Sequence, residues 1–210
     1  MKFPEKIFVT GTDTGIGKTV ISSLLVSGLD AGYWKPVQSG TVPHTDTEFV
    51  RKVTELNEEY FYPESYRLSE PLSPHAAAKI DGVQIKTDQV QVPEFTQNHL
   101  VIEGAGGLIV PLNDKDMIID LIKRLNIPVL LVARSGLGTL NHTLLSIEAL
   151  RSRGIELWAV VLNGERNTSN EEAIRYYGET DRLISVGPLA NLNPQTLKEE
   201  FQKSFSKYAS

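Results

Sequence analysis

Cysteine is absent from this chain. Disulfide bonds, thiolate catalysis and cysteine-ligated zinc are therefore excluded, although the absence does not fix the compartment. Long hydrophobic runs are missing as well. The most apolar stretch, IPVLLVA at 127–133, is far shorter than the ~20 residues of a membrane helix. The N-terminal MKFPEKIFVT has no apolar stretch of signal-peptide length, so a soluble, cytoplasmic protein is expected. Nor is there an excess of basic charge. Lys and Arg number 21 against 26 Asp and Glu, a formal net charge of −5. That balance argues weakly against nucleic acid and leaves small anions open to a locally positive pocket. No repeat, low-complexity tract or linker interrupts the 210 residues. A hydrophobic content of 40% suits one domain, 1–210, with a sizeable core.

Short apolar runs rich in β-formers alternate with helical patterns. Strands are predicted at 6–10, 33–37, 99–104, 128–134, 157–163 and 183–187. Helices are predicted near 45–57, 117–125, 139–152, 170–178 and 194–206, and Val20, Ile21, Leu24, Leu25 and Leu29 share one helical face. The segment 60–98, with Pro63, Pro71, Pro74 and Pro93, reads as loops and short helices. Strands separated by helices imply an α/β fold: an open, mostly parallel sheet with helices on both faces.

The first strand runs into VTGTDTGIGKTV at 9–20. A strand, a Gly/Thr-rich turn and a helix opening at Lys-Thr are the setting of a phosphate-binding loop. Glycines let backbone N–H groups turn inward, and the helix N-terminus adds partial positive charge. Lys18 is placed to reach the β/γ-phosphates, and the Thr19 hydroxyl to ligate Mg²⁺. In the usual spacing four residues separate the first glycine from Gly17. Here Thr12 stands in that glycine's place and Gly11 lies one residue earlier, so the loop is a variant. A glycine-rich turn without a ligand is the plainer alternative. A dinucleotide turn is disfavoured, because the loop has no G-x-G-x-x-G.

Other residues are candidates with ordinary alternatives beside them. Glu103 ends the apolar run LVI just before GAGG. On a strand parallel to the first it would emerge at the loop's edge of the sheet and suit Mg²⁺; otherwise it is a solvated loop acid. Asp46 opens a helical pattern, as metal ligand or in an N-cap or first-turn role. Asp114 and Asp116 compete from a polar turn. Lys35, in WKPVQSG, is a second cation for a site handling negative charge, or a plain surface lysine. Asn163 follows a strand, where its amide suits a purine base or a turn. The histidines at 44, 75, 99 and 142 show no metal-ligand spacing.

Taken together, GTDTGIGKT, WKPVQSG, SEPLSPH (69–75) and EGAGG (103–107) resemble dethiobiotin synthetase of the biotin pathway, in order and separation, with weaker agreement at GLGTLNH and VVLNGER. The resemblance implies a P-loop NTPase-type fold and a cyclo-ligase that forms C–N bonds. ATP, CO₂ and 7,8-diaminopelargonate would give dethiobiotin, ADP and phosphate through a carbamate and a carbamic–phosphoric anhydride. It implies Lys18, Lys35 and Thr14 as catalytic residues. ATP would be held by Gly15, Ile16, Gly17, Lys18, Thr19 and Val20, with Asn163 and Pro188 at the base. The diamine and its carbamate would meet Thr14, Lys35, Ser39, Gly106, Gly107, Leu140 and Asn141. Mg²⁺ would be held by Thr19, Asp46 and Glu103, and the enzyme would be a homodimer. Gly15 departs from the pattern, since several family members carry glutamate there. The rival classes are an ATP-driven switch or partitioning protein and a non-catalytic nucleotide-binding module.

Overall fold

The computed structural model describes residues 3–209. Nine strands and seven α-helices are found among them. Seven strands build the main sheet: β1 (Lys6–Gly11), β2 (Gly32–Trp34), β4 (Phe61–Tyr62), β6 (Leu100–Gly107), β7 (Val129–Arg134), β8 (Leu157–Asn163) and β9 (Leu183–Val186). Their order is β4-β2-β6-β1-β7-β8-β9. Every pairing is parallel. Such a sheet must be covered on both faces, so its strands read as unbroken apolar runs instead of alternating ones.

Strand alternation sends odd and even residues of β1 to opposite layers. Phe8, Ile102 and Leu131 face α4 (Ile118–Leu125), α5 (Thr139–Ser152) and α6 (Thr168–Tyr177). Ile7, Val9, Val101 and Leu130 face α1 (Lys18–Leu29), α2 (Asp46–Thr54) and α7 (Pro194–Ala209). The central β1 lies between β6 and β7, with Val9 opposite both Glu103 and Leu130. In an open parallel sheet, ligands gather outside the carboxyl ends of such strands.

Two expectations require correction. The strand predicted at 33–37 is two strands in different sheets. β2 ends at Trp34, and β3 (Val37–Ser39) pairs in parallel with β5 (Tyr66–Leu68) in a small separate sheet. Pro36 lies between them and has no N–H to give a ladder, so the run cannot continue. The strand predicted at 99–104 runs further than expected: β6 continues through the glycine-rich stretch to Gly107, which lies opposite Gly11. The segment 60–98 holds the expected short helix, α3 (Pro74–Ile80), and also the small strands β4 and β5.

The layer of α1 and α7 is close-packed. A Cβ built on Gly28 would fall 2.0 Å from the Phe201 ring, which is 1% exposed and stacks on Phe205. Alanine favours a helix over glycine, but overpacking a filled core costs more than that gain. Gly28→Ala is expected to lower the unfolding free energy by about 1–3 kcal/mol. Gly187→Ala, where an added Cβ meets nothing within 4 Å, should change it by no more than about 0.5 kcal/mol. Urea denaturation of both variants checks this, and equal midpoints would contradict the packing argument.

Candidate active site

The phosphate loop spans the gap between β1 and α1. Gly15 and Gly17 take left-handed backbone conformations, φ 71° and 93°. Gly17 is required twice over, because a Cβ there would also lie 2.1 Å from Asn163 Nδ2. Asn163, at the end of β8, donates Nδ2 to the Ile16 carbonyl at 2.9 Å, so the residue expected at the base also grips the loop. Lys18 Nζ donates to the Asp13 carbonyl at 2.9 Å. The Asp13 carboxylate in turn accepts the Thr14 N–H at 2.7 Å and Arg134 Nη2 at 2.9 Å. Burial lowers the Lys18 pKa and Lys35 adds to that; the Glu103 carboxylate opposes it.

Opposite the loop, four side chains from four segments meet. The Thr19 hydroxyl lies 3.1 Å from Asp46 Oδ1 and 2.8 Å from Glu103 Oε1. Lys35 Nζ lies 2.6 Å from Asp46 Oδ2 and 3.1 Å from Glu103 Oε1. It also donates to the Gly104 carbonyl at 3.3 Å. Lys35 is 3% exposed and Glu103 1%. Burial alone pulls the Lys35 pKa down, but the Glu103 and Asp46 carboxylates together outweigh it and the pKa is raised. Burial pushes Asp46 up, yet Lys35 and the Thr19 hydroxyl hold it below the ordinary carboxylate value. Lys35 is thus not the surface lysine of the plainer alternative. Asp46 is not the cap of α2: that is Thr45, in a capping box with Glu48. Asp46 sits in the first turn, its N–H donated to Gln38 Oε1 at 3.1 Å.

These groups line a cleft of about 780 Å³ together with Thr14, Gly15, Gly17, Val20, Ser39 and Gly106. The Ser39 Oγ is buried with no hydrogen-bond partner among the described residues. Part of the wall is apolar, from Phe49, Leu72 and Val110. Not every expected residue faces the cleft. The Ile16 side chain is buried at 5% exposure. Gly107 lies against the Gly11 and Thr12 carbonyls. Pro188 is exposed, beyond β9. Leu140 and Asn141 lie in the first turn of α5, outside the walls of this cleft. The competing Asp116 is engaged by Thr87 and Asn113 instead. Tyr33, Gln38 and Arg134 escaped the sequence reading. Tyr33 had a signal: it precedes Lys35 by two residues, which places it on the same face of an extended chain.

The donor set suits a hard cation. The Thr19 hydroxyl lies within reach of one oxygen of each carboxylate, so three hard oxygens converge on one point of the cleft. Among the described residues no cluster of three or more His, Cys, Asp or Glu could hold a metal alone. A small cation here would draw its remaining ligands from phosphates and water.

Comparison with known proteins bears on the family and the fold. The family described as an AAA domain matches residues 5–196. The ATP-dependent dethiobiotin synthetase BioD of Brucella ovis is 48% identical over 201 residues, covering 96% of this chain and 94% of that protein. The Brucella abortus (strain S19) protein of the same name is 47% identical over the same coverage. Among solved structures, a ParA family ATPase from Chlorobium tepidum superposes with a TM-score of 0.55 at 11% identity, covering 98% of this chain and 91% of that one. The MinC:MinD cell division complex of Aquifex aeolicus gives 0.52 at 10%, covering 94% and 86%. At such identities these two share the fold alone, whereas the Brucella proteins match nearly end to end. The chain therefore belongs to the ATP-dependent dethiobiotin synthetases, the ATP-using ligases that form dethiobiotin in biotin synthesis.

Proposed function

We propose that the cleft joins CO₂ to 7,8-diaminopelargonate in three steps. One amine adds to CO₂ and loses a proton, giving a carbamate. A carbamate oxygen attacks the γ-phosphorus of ATP and ADP leaves, giving a carbamic–phosphoric anhydride. The second amine attacks the carbonyl carbon and gives up a proton, phosphate departs and the cyclic urea closes. The observation that carries this reading is the Lys35 ammonium, held between Asp46 and Glu103 within 3.1 Å of each and lining the same cleft as the phosphate loop. A cation there faces both the transferred phosphoryl group and the acceptor that attacks it. Phosphoryl transfer needs positioning and charge neutralisation more than covalent help, so no protein nucleophile is required.

In this reading Gly15 to Val20 wrap the phosphates, and Lys18 leaves the Asp13 carbonyl to neutralise the β/γ oxygens. Thr14, Lys35 and Ser39 hold the carbamate, Ser39 through its unpartnered hydroxyl. Gly106 and Gly107 give the diamine close backbone approach, and Asn163 with Pro188 borders the base. Thr19, Asp46 and Glu103 are the residues that would hold Mg²⁺. When bound, Mg²⁺ supplies positive charge to the phosphates. Enclosure protects the anhydride from water.

The same reading includes a homodimer and a cytoplasmic location. No helix among the described residues is long and apolar enough to cross a membrane. Large apolar side chains are uncovered on the outer face of the α5 and α6 region: Leu137 is fully exposed and Leu145 57% exposed, and Tyr176 and Tyr177 of α6 are 77% and 69% exposed. A second copy on this face would bring Leu140 and Asn141 to the substrate's carboxylate tail.

Incubation with ATP, Mg²⁺, ¹³C-bicarbonate and the diamine should put label into a cyclic urea, read by mass spectrometry. Phosphate release without diamine would instead favour the switch class. Lys18→Ala should reduce kcat/KM by on the order of 10²–10³-fold. Lys35→Gln should reduce diamine-dependent turnover similarly while ATP affinity, read by isothermal titration, changes little. If Lys35→Gln lost ATP affinity and kept its diamine dependence, its assigned role would be wrong. Leu145→Glu should move the sedimentation coefficient from dimer to monomer, and an unchanged value would place the subunit contact elsewhere.

A further inference from the structure

Tyr33 has no part in the reaction scheme, yet it touches the centre of the site. Its hydroxyl donates to Glu103 Oε2 at 3.0 Å. Thr19 and Lys35 both reach the other oxygen, Oε1. The two carboxylate oxygens of Glu103 are therefore treated differently. Oε1 belongs to the groups that line the cleft; Oε2 belongs to a tyrosine that does not line it. Tyr33 is fully buried on β2, opposite Val101 of β6, and its ring meets Phe61 edge-on at 6.3 Å. From there the phenol spans one pleat of the neighbouring strand and reaches Glu103 from the core side. A phenylalanine would fill the same space, so packing does not require the hydroxyl.

We propose that Tyr33 is a positioning residue that makes Glu103 a one-oxygen ligand: by occupying Oε2 from the core, it leaves Oε1 alone facing the cation. The inference rests on the assignment of Glu103 as a metal ligand given above. Its consequence is selectivity. Mg²⁺ demands near-octahedral geometry and keeps its waters, whereas Ca²⁺ takes six to eight oxygens and accepts both oxygens of one carboxylate. A carboxylate pinned by one oxygen suits the first ion and denies the second its extra ligand.

The test is isothermal titration of ATP into five proteins: wild type, Tyr33→Phe, Glu103→Ala, the double variant and Phe61→Leu. Each is titrated without metal, with Mg²⁺ and with Ca²⁺. Tyr33→Phe should weaken the Mg²⁺-dependent gain in ATP affinity about 10-fold and narrow the preference for Mg²⁺ over Ca²⁺. Its metal-free ATP binding should match wild type, which also reports that the variant is folded. Glu103→Ala should remove most of the Mg²⁺ dependence, and Tyr33→Phe should add nothing to it. Phe61→Leu, which loosens the ring's packing and keeps the hydroxyl, should retain the wild-type metal preference. If Tyr33→Phe kept the wild-type Mg²⁺ and Ca²⁺ responses while Glu103→Ala lost them, the role of Tyr33 would fall and the metal assignment would stand. If Glu103→Ala kept the Mg²⁺ response, the metal assignment itself would fall and this inference with it. Equal losses with and without metal in Tyr33→Phe would mark the hydroxyl as purely structural and overturn the proposal.

Discussion

A lysine ammonium at 3% exposure is tenable only because two carboxylates meet it. Desolvating a charge costs several kcal/mol, and removing one partner of a buried pair typically costs about 3–5 kcal/mol, because the survivor is left unpaired. Lys35, Asp46 and Glu103 are thus mutually obligatory. They come from the link between β2 and β3, the first turn of α2 and the middle of β6. Holding these charges together fixes how three distant parts of the chain meet, and the Thr19 hydroxyl adds the start of α1. Two ammonium groups and two carboxylates balance across the cleft. Positive charge is thus already in place beside the phosphate loop, where the Lys18 ammonium would have to exchange only its Asp13 carbonyl partner for an arriving phosphate.

The fold supplies the precision this arrangement needs. Glu103 projects from a fully flanked strand, and Lys18 and Thr19 from a helix whose first turn is set by Gly17. The segment between β3 and α2 is the least regular part, and it is tied at several points. Gln38 donates to the Ser39 and Gly40 carbonyls and accepts the Asp46 N–H. The Thr45–Glu48 box then starts the helix. One glutamine side chain thereby does for a loop what a ladder does for a strand. On the far side, the bond from Asn163 to the Ile16 carbonyl links the end of β8 to the phosphate loop.

Much of this was legible in the sequence. Apolar runs with clear breaks, such as PVLLVAR and LWAVVLN, fall within a residue or so of β7 and β8, because strands buried on both faces carry no competing polar pattern. The helix predicted at 170–178 begins at Thr168 instead, because the Asn167 side chain accepts the Asn170 N–H and caps it earlier. The divided strand at 33–37 and the two-residue β4 were not legible. Their pairing depends on partners 28 or more residues away, and neither is long enough to show a period. The phosphate loop was legible as a local motif. The meeting of Lys35 with Asp46 and Glu103 was suggested by a resemblance; residue types alone left each of them open. Tyr33 was missed because its one signal, the two-residue spacing to Lys35, does not set it apart from an ordinary aromatic core residue until the atom facing its hydroxyl is known.

The lengths of the outermost strands bear on how this protein associates with others. β4 offers two residues of edge and β9 four, and α7 lies against the latter. A parallel sheet with such short margins presents little template for an incoming strand. Growth by backbone pairing, the common route to runaway aggregation in open sheets, is therefore closed at both sides. Association is then left to side chains displayed on the surface, which makes its stoichiometry a matter of surface shape more than of strand addition to the main sheet.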